Sequence, residues 1–327
     1  MRGLPTGFRW TDGDGPRGSA RKNPRSIRRT DMALYAFDGT WNKQEEILGE
    51  NTNVAKFAQA YQPQEQIFYQ KGVGTRFWIF GRLLGGILGA GGRSRIHKAL
   101  RKLEDNIQQG DADIDIIGFS RGAAVALEFA SRIQGQAFPG QPQPRIRFLG
   151  LWDTVHSFGV PGNDINLGWQ MALADNVDKC FHALALDERR HNFPLTRLAA
   201  RVPDADQTGR LYEVWFRGVH SDVGGGNRNQ GLSDIALLWM MRSAERCGIG
   251  FDPAAIARAQ QSGIPNSDIS IHKFDPIKNA FRVVRWNDSV HASVAARSHA
   301  DQREHNNPPL GLAVVDDRGD LIGKFGK

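Results

Sequence analysis

Cysteine is scarce in this chain. Cys180 and Cys247 are the two in 327 residues, too few for a disulfide framework, and they fit a reducing compartment or a fold that does not depend on cross-links. The nine histidines show neither H-E-x-x-H nor a clustered spacing, so no metal site is expected. Long apolar runs are missing as well. The best, FWIFGRLLGGILGA at 77–90, is short for a membrane span, holds Arg82 and is cut by Gly81, Gly85, Gly86 and Gly89. The basic residues at the amino terminus are not followed by an apolar stretch, so a secretory signal peptide is not expected.

Two partial motifs also lack what their chemistry requires. Phe37-Asp38-Gly39-Thr40 matches the end of the D-x-D-G-T phosphatase motif, but the position of the nucleophilic aspartate is Ala36. The run GAGGRSR at 89–95 has Ile87 where a P-loop needs glycine and Arg93 where it needs lysine.

Positive charge is in excess but unevenly placed. The chain carries +7 with a pI near 9.6, and residues 1–31 hold eight Arg or Lys against three Asp. The remaining body is close to neutral, so a nucleic-acid surface, which would spread basic charge over the body, is not expected. The arm is rich in Gly, Pro, Arg and Ser without apolar periodicity, which predicts disorder. Met32 directly precedes the first apolar strand and is an alternative start. The division expected is a basic arm over 1–31 and one globular domain over 32–327.

Within that body, apolar β-type runs alternate with helical patterns, the signature of a mostly parallel sheet covered by helices. Strands are predicted at 33–37, 66–70, 113–118, 146–152, 211–216 and 281–285. Helices are predicted at 94–109, where Ile96, Leu100, Leu103 and Ile107 form one stripe, and near 121–133 and 233–246. Residues 71–93 and 154–210 read as long irregular connections, the second holding only fragments of helix. Such insertions suit the walls and lid of a pocket, and the apolar side chains at 77–90 predict an acyl-binding wall or lid.

The strongest local signal is Gly118-Phe119-Ser120-Arg121-Gly122, a G-x-S-x-G element with an apolar strand before it and an Ala-rich helix after it. That setting is the nucleophile elbow, in which small residues at 118 and 122 let a serine stand on a tight turn at the carboxyl end of the sheet. Ser120 is therefore the expected nucleophile. An ordinary helix cap is the competing reading. A serine needs a base, and the base an orienting carboxylate, following in the order acid then histidine. Asp153 ends the strand RIRFLGLW, and His220 follows the strand LYEVWF before Gly224, Gly225 and Gly226. His291 is the alternative base and Asp222 the alternative orienter. His156 lies too close to Asp153 in sequence. For the oxyanion hole, the backbone N–H groups of Arg121, Gly39 and Thr40 are the candidates, with Asp38 bracing the loop.

The segments FDGTWN at 37–42, YQKGVGT at 69–75, GFSRGAA at 118–124, LGLWDTV at 149–155, HALALDERR at 182–190 and WFRGVHSDVGGGN at 215–227 together resemble the DUF2235 proteins, which include the catalytic domains of Tle1-type phospholipase effectors of type VI secretion. The resemblance spans about 32 to 300. It implies an α/β-hydrolase fold with lid-like insertions, phospholipase A-type ester hydrolysis and the set Ser120, Asp153 and His220, the residues the pattern itself selects.

The function expected is hydrolysis of carboxylic esters through an acyl-enzyme, on lipid or phospholipid acyl chains, with no cofactor. An esterase of small soluble esters and a non-catalytic lipid- or partner-binding module are the alternatives. Expected partners are the acyl-ester substrate, a transient membrane surface and, for an effector, a secretion-apparatus or immunity protein. A soluble cytoplasmic protein, with non-classical export for an effector, is the expected location.

Overall fold

The computed structural model describes residues 33–39, 51–72, 84–155, 171–190, 193–199, 209–270, 280–297 and 305–326, with backbone alone for 84–91. The arm at 1–31, Thr40 and most of the 77–90 segment lie outside the described residues.

Among the described residues, nine strands form one sheet. In chain order its strands are β1 (Ala33–Phe37), β3 (Ile67–Gln70), β4 (Asp113–Phe119), β5 (Arg145–Trp152), β6 (Cys180–Ala185), β7 (Leu211–Phe216), β9 (Ser289–His291), β10 (Ala313–Val315) and β11 (Leu321–Lys324). Across the sheet the order is β11-β10-β9-β7-β6-β5-β4-β1-β3. Every pairing is parallel except that of β10 with β11 at one edge. A separate short pair joins β2 (Tyr61–Gln62) to β8 (Gly250–Phe251).

The side-chain alternation of the strands divides the core into two layers. Tyr35, Phe37, Ile114, Ile116, Leu149 and Leu151 face one layer, closed by helices α2 (Leu84–Gln108) and α3 (Arg121–Gly135). Leu34, Ile117, Phe119, Phe148 and Trp152 face the other, which is closed by α1 (Asn53–Ala60), α5 (Gly231–Arg246) and α6 (Pro253–Ser262). Two short helices, α4 (His220–Gly224) and α7 (Ala292–Ala296), follow β7 and β9. A mostly parallel sheet with both faces covered is an α/β-hydrolase architecture. Among the described residues, no helix is long and apolar enough to cross a membrane.

Three sequence expectations need correction. The 154–210 connection contains a full strand, β6, buried along its whole length. Its sequence, Cys-Phe-His-Ala-Leu-Ala, is poor in β-branched residues, and tertiary pairing on both edges supplies what propensity does not. Residues 281–285, expected as a strand, join no ladder. Arg285 N–H donates to Asp288 Oδ2 at 2.8 Å, a turn precedes β9, and the strand that pairs with β7 begins at Ser289. Helix α2 starts at Leu84, ten residues before the expected start, because its first turns are glycine-rich and carry no helical signal.

The sheet and α3 touch backbone to backbone at the elbow. A Cβ on Gly122 would sit 2.2 Å from the Phe37 carbonyl oxygen, whereas one on Gly135 would meet nothing within 4 Å. Gly122→Ala is therefore expected to cost about 1–3 kcal/mol, read as a lower urea midpoint at unchanged slope. Gly135→Ala should leave the midpoint in place or raise it. Equal midpoints for both variants would contradict the close approach.

Candidate active site

Ser120 occupies the junction of β4 and α3 with φ 59° and ψ −125°, a left-handed conformation costly for a residue with a Cβ. Its hydroxyl makes no cap to the helix, so the reading of Ser120 as an ordinary N-cap fails. The backbone is pinned instead: Ser120 N–H donates to Trp152 O at 3.0 Å, and Ser120 O accepts from Ala123, Ala124 and Val155. A Cβ on Gly118 would fall 2.7 Å from the Ala123 Cα, so glycine is needed at 118 as at 122.

Asp153 follows β5, is fully buried and also has a positive φ, 40°. Its carboxylate is saturated. Oδ2 accepts from His220 Nδ1 at 2.7 Å and from Arg282 at 3.1 Å. Oδ1 accepts from Arg282 at 2.6 Å and from Ala185 N–H at 2.9 Å. Burial alone would raise the carboxyl, but the Arg282 charge and the His220 hydrogen bond hold it well below the usual carboxylate range.

His220 opens α4. Its backbone N–H donates to Glu188 Oε2 at 3.1 Å, and its ring lies between Phe119 and Phe193, with centroids at 4.6 and 4.7 Å. Phe119 is the residue before Ser120, so this contact sets the histidine against the elbow. Because Asp153 is an ionised acceptor, Nδ1 carries the proton and Nε2 keeps its lone pair. Burial pushes the imidazole below its ordinary value, against the pull of Asp153.

The alternatives are placed elsewhere. His291 ends β9, four strands from β4, about 19 Å at the usual strand spacing. Its Nδ1 accepts from Ser293 N–H at 3.2 Å. Asp222 accepts from Val219 N–H at 3.0 Å and Ser270 N–H at 2.9 Å and braces the glycine turn. Of the oxyanion candidates, Arg121 is the first residue of α3. A Cβ on Gly39 would stand 3.3 Å from Ser120 Cβ, but the Gly39 N–H already donates to Asp38 Oδ1 at 2.7 Å. Asp38 braces this loop, accepting also from Thr52 Oγ1 at 2.7 Å and Tyr69 OH at 2.5 Å. Thr40 and His156 lie outside the described residues.

Sequence reasoning missed the groups that support the acid and the base. Arg282 was hidden inside a predicted strand. Glu188 and its partner Arg190, paired at 2.6 Å, sit in the HALALDERR segment, which carried a signal but no assigned role. The buried His182 was also unassigned. His182 Nε2 accepts from Thr154 N–H at 3.2 Å, and Nδ1 lies 2.9 Å from Glu213 Oε1. Arg197 joins Glu213 at 2.7 Å to Asp288 at 2.8 Å. This network fixes Thr154, the neighbour of Asp153. A cavity of about 700 Å³ lined by Lys179, Tyr212, Arg285 and Arg318 opens at the amino ends of β6 and β7, away from Ser120.

A family model described as "T6SS, Phospholipase effector Tle1-like, catalytic domain" matches residues 33–136 and 128–243. An uncharacterized protein from Pseudomonas aeruginosa of known structure is 22% identical with a TM-score of 0.52, over 71% of this chain and 48% of that one. The Tle1 effector bound to the VgrG spike of the type 6 secretion system is 19% identical with a TM-score of 0.50, over 80% of this chain and 87% of that one. An uncharacterized protein of Saccharomyces cerevisiae is 43% identical over 54 residues, 15% of this chain and 8% of its own. The chain thus spans about half of the Pseudomonas protein and a small part of the yeast one. The two structural likenesses establish the fold.

The His182–Glu213 network has a pH signature. Burial would raise Glu213, but the hydrogen bond from His182 and the Arg197 charge bring it down to about 2. Its folded value lies below the unfolded value of about 4.3. The stability it contributes is therefore complete above that pH and is lost as pH falls toward about 2. Glu213→Gln should be less stable at neutral pH and lose less stability than the wild type between about pH 4.5 and 2, followed by urea midpoints. Parallel pH curves would contradict the network.

Proposed function

The chain belongs to the Tle1-like catalytic-domain family of type VI secretion phospholipase effectors, and on that premise we propose that it hydrolyses lipid acyl esters with Ser120 as nucleophile. The observation that carries this reading is the hydrogen bond between His220 and the buried Asp153 at 2.7 Å, with the His220 ring packed on Phe119, the neighbour of a strained, uncapped Ser120.

In the proposed mechanism His220 Nε2 takes the Ser120 proton as Oγ bonds to the ester carbonyl carbon. The carbonyl π pair moves to oxygen, where the Arg121 N–H at the start of α3 stabilises it. Collapse of the tetrahedral species breaks the acyl C–O bond, and the imidazolium gives its proton to the leaving alcohol. Water, deprotonated by the same imidazole, then releases the fatty acid and restores Ser120. Asp153 holds the Nδ1–H tautomer throughout. No cofactor is required.

We infer phospholipid as the substrate from the family membership, and a secretion-apparatus protein as a partner by analogy with the Tle1 effector bound to the VgrG spike. A small-ester activity is distinguished by chain length. A lipid site gains from each buried methylene, worth about 0.8 kcal/mol, whereas a small-ester site does not.

Ser120→Ala and His220→Ala should each lower kcat on a short p-nitrophenyl ester, and fatty-acid release from phospholipid vesicles, by about a thousandfold or more. His291→Ala should stay within about tenfold of the wild type. Loss in His291→Ala with activity kept in His220→Ala would move the base to His291.

A further inference from the structure

The two carboxylates that accept hydrogen bonds from His220 are each paired with an arginine. Asp153, after β5, is gripped by Arg282 through both oxygens, at 2.6 and 3.1 Å. Glu188, after β6, is gripped by Arg190 in the same two-pronged way, at 2.9 and 2.6 Å. Arg282 comes from the segment before β9, 129 residues beyond Asp153. It is largely buried, and it also donates to Ala185 O at 2.8 Å and Phe193 O at 2.9 Å. A planar guanidinium fork fits a carboxylate at both oxygens and fixes its plane, which a lone histidine hydrogen bond does not.

Resting on the Ser120, Asp153 and His220 reading above, we propose that Arg282 is a positioning residue that both orients the Asp153 carboxylate toward His220 and offsets its charge, so that His220 rests as the free base.

The physical case is electrostatic. A bare buried carboxylate against Nδ1 stabilises the imidazolium and raises the pH at which the base becomes available. A guanidinium on the far side of the same carboxylate cancels part of that field. Other charged groups also face His220. Glu188 pulls the imidazole up and Arg190 pulls it down by less, and Asp222 on its own helix is turned into bonds with Val219, Asn227 and Ser270. Phe119 and Phe193 contribute uncharged rings. The downward displacement of the His220 imidazole by burial acts in the same direction. Meanwhile the fork keeps the carboxylate plane fixed when Nδ1 becomes charged during the reaction.

A residue that merely tethers the 280s segment would alter stability and rate but not the pH at which His220 titrates. The test is kcat/KM against pH on a short p-nitrophenyl ester for the wild type, Arg282→Gln and Arg282→Lys. With the opposing charge removed, His220 holds its proton to higher pH. The acid limb of Arg282→Gln should therefore move up by about one pH unit, a tenfold loss below the limb. Arg282→Lys keeps the charge and loses the fork, so its limb should stay within about 0.3 unit while kcat falls about tenfold. An Arg282→Gln limb at the wild-type pH, or below it, overturns the charge-offset role. If Arg282→Gln does not fold, as judged by the loss of a cooperative melt, the Lys variant decides: wild-type kcat there overturns the positioning role. His220→Ala run in the same series separates the two readings, because activity that survives it removes the proposed triad itself.

Discussion

Burying a carboxylate without a cation is among the costliest acts a fold performs, and Asp153 has no exposed surface. The region around it is arranged to meet that cost. The strand that follows, β6, supplies the Ala185 N–H, the 280s segment supplies Arg282, and the helix after β7 supplies His220. Three parts of the chain distant in sequence converge on one carboxylate, and removing any of them leaves charge or lone pairs unmatched. The positive φ of Asp153 shows that the backbone also bends to deliver it.

Ser120 depends on the same frame. Its N–H reaches Trp152 O, one residue before Asp153, and its carbonyl accepts from Val155, two residues after. Strain at the proposed nucleophile is thus held by β5, the strand that presents the acid. Gly118 and Gly122 let α3 lie directly on the ends of β4 and β1. Behind Thr154, the chain of His182, Glu213, Arg197 and Asp288 extends the support across β6 and β7 to the start of β9. Local strain survives in proteins where the surroundings over-determine it, and here they do so through hydrogen bonds rather than through packing alone.

Much of this was legible in the sequence because it is written locally. Ser120 stands in a five-residue pattern between an apolar strand and an Ala-rich helix, and Asp153 and His220 each follow an apolar strand. Periodicity also found the stripe of Ile96, Leu103 and Ile107, all buried. What stayed hidden is non-local or goes against propensity. Strand β6 holds no β-branched residue, and its partners on both sides make it a strand. Arg282 sat inside a predicted strand, and nothing near it in sequence indicates a contact 129 residues away. Gly39 looked free to donate into an oxyanion hole, yet the neighbouring Asp38 side chain takes its N–H, a local competition that glycine's openness does not reveal.

The central claim is that Ser120 is an activated nucleophile served by His220, and covalent trapping tests it most directly. A fluorophosphonate reacts with serines whose proton is removed by a neighbouring base. The native protein, treated with such a probe and digested, is predicted to carry the adduct on the peptide containing Ser120, and His220→Ala is predicted to carry none. An unlabelled native protein, or an adduct on another residue, would contradict the account.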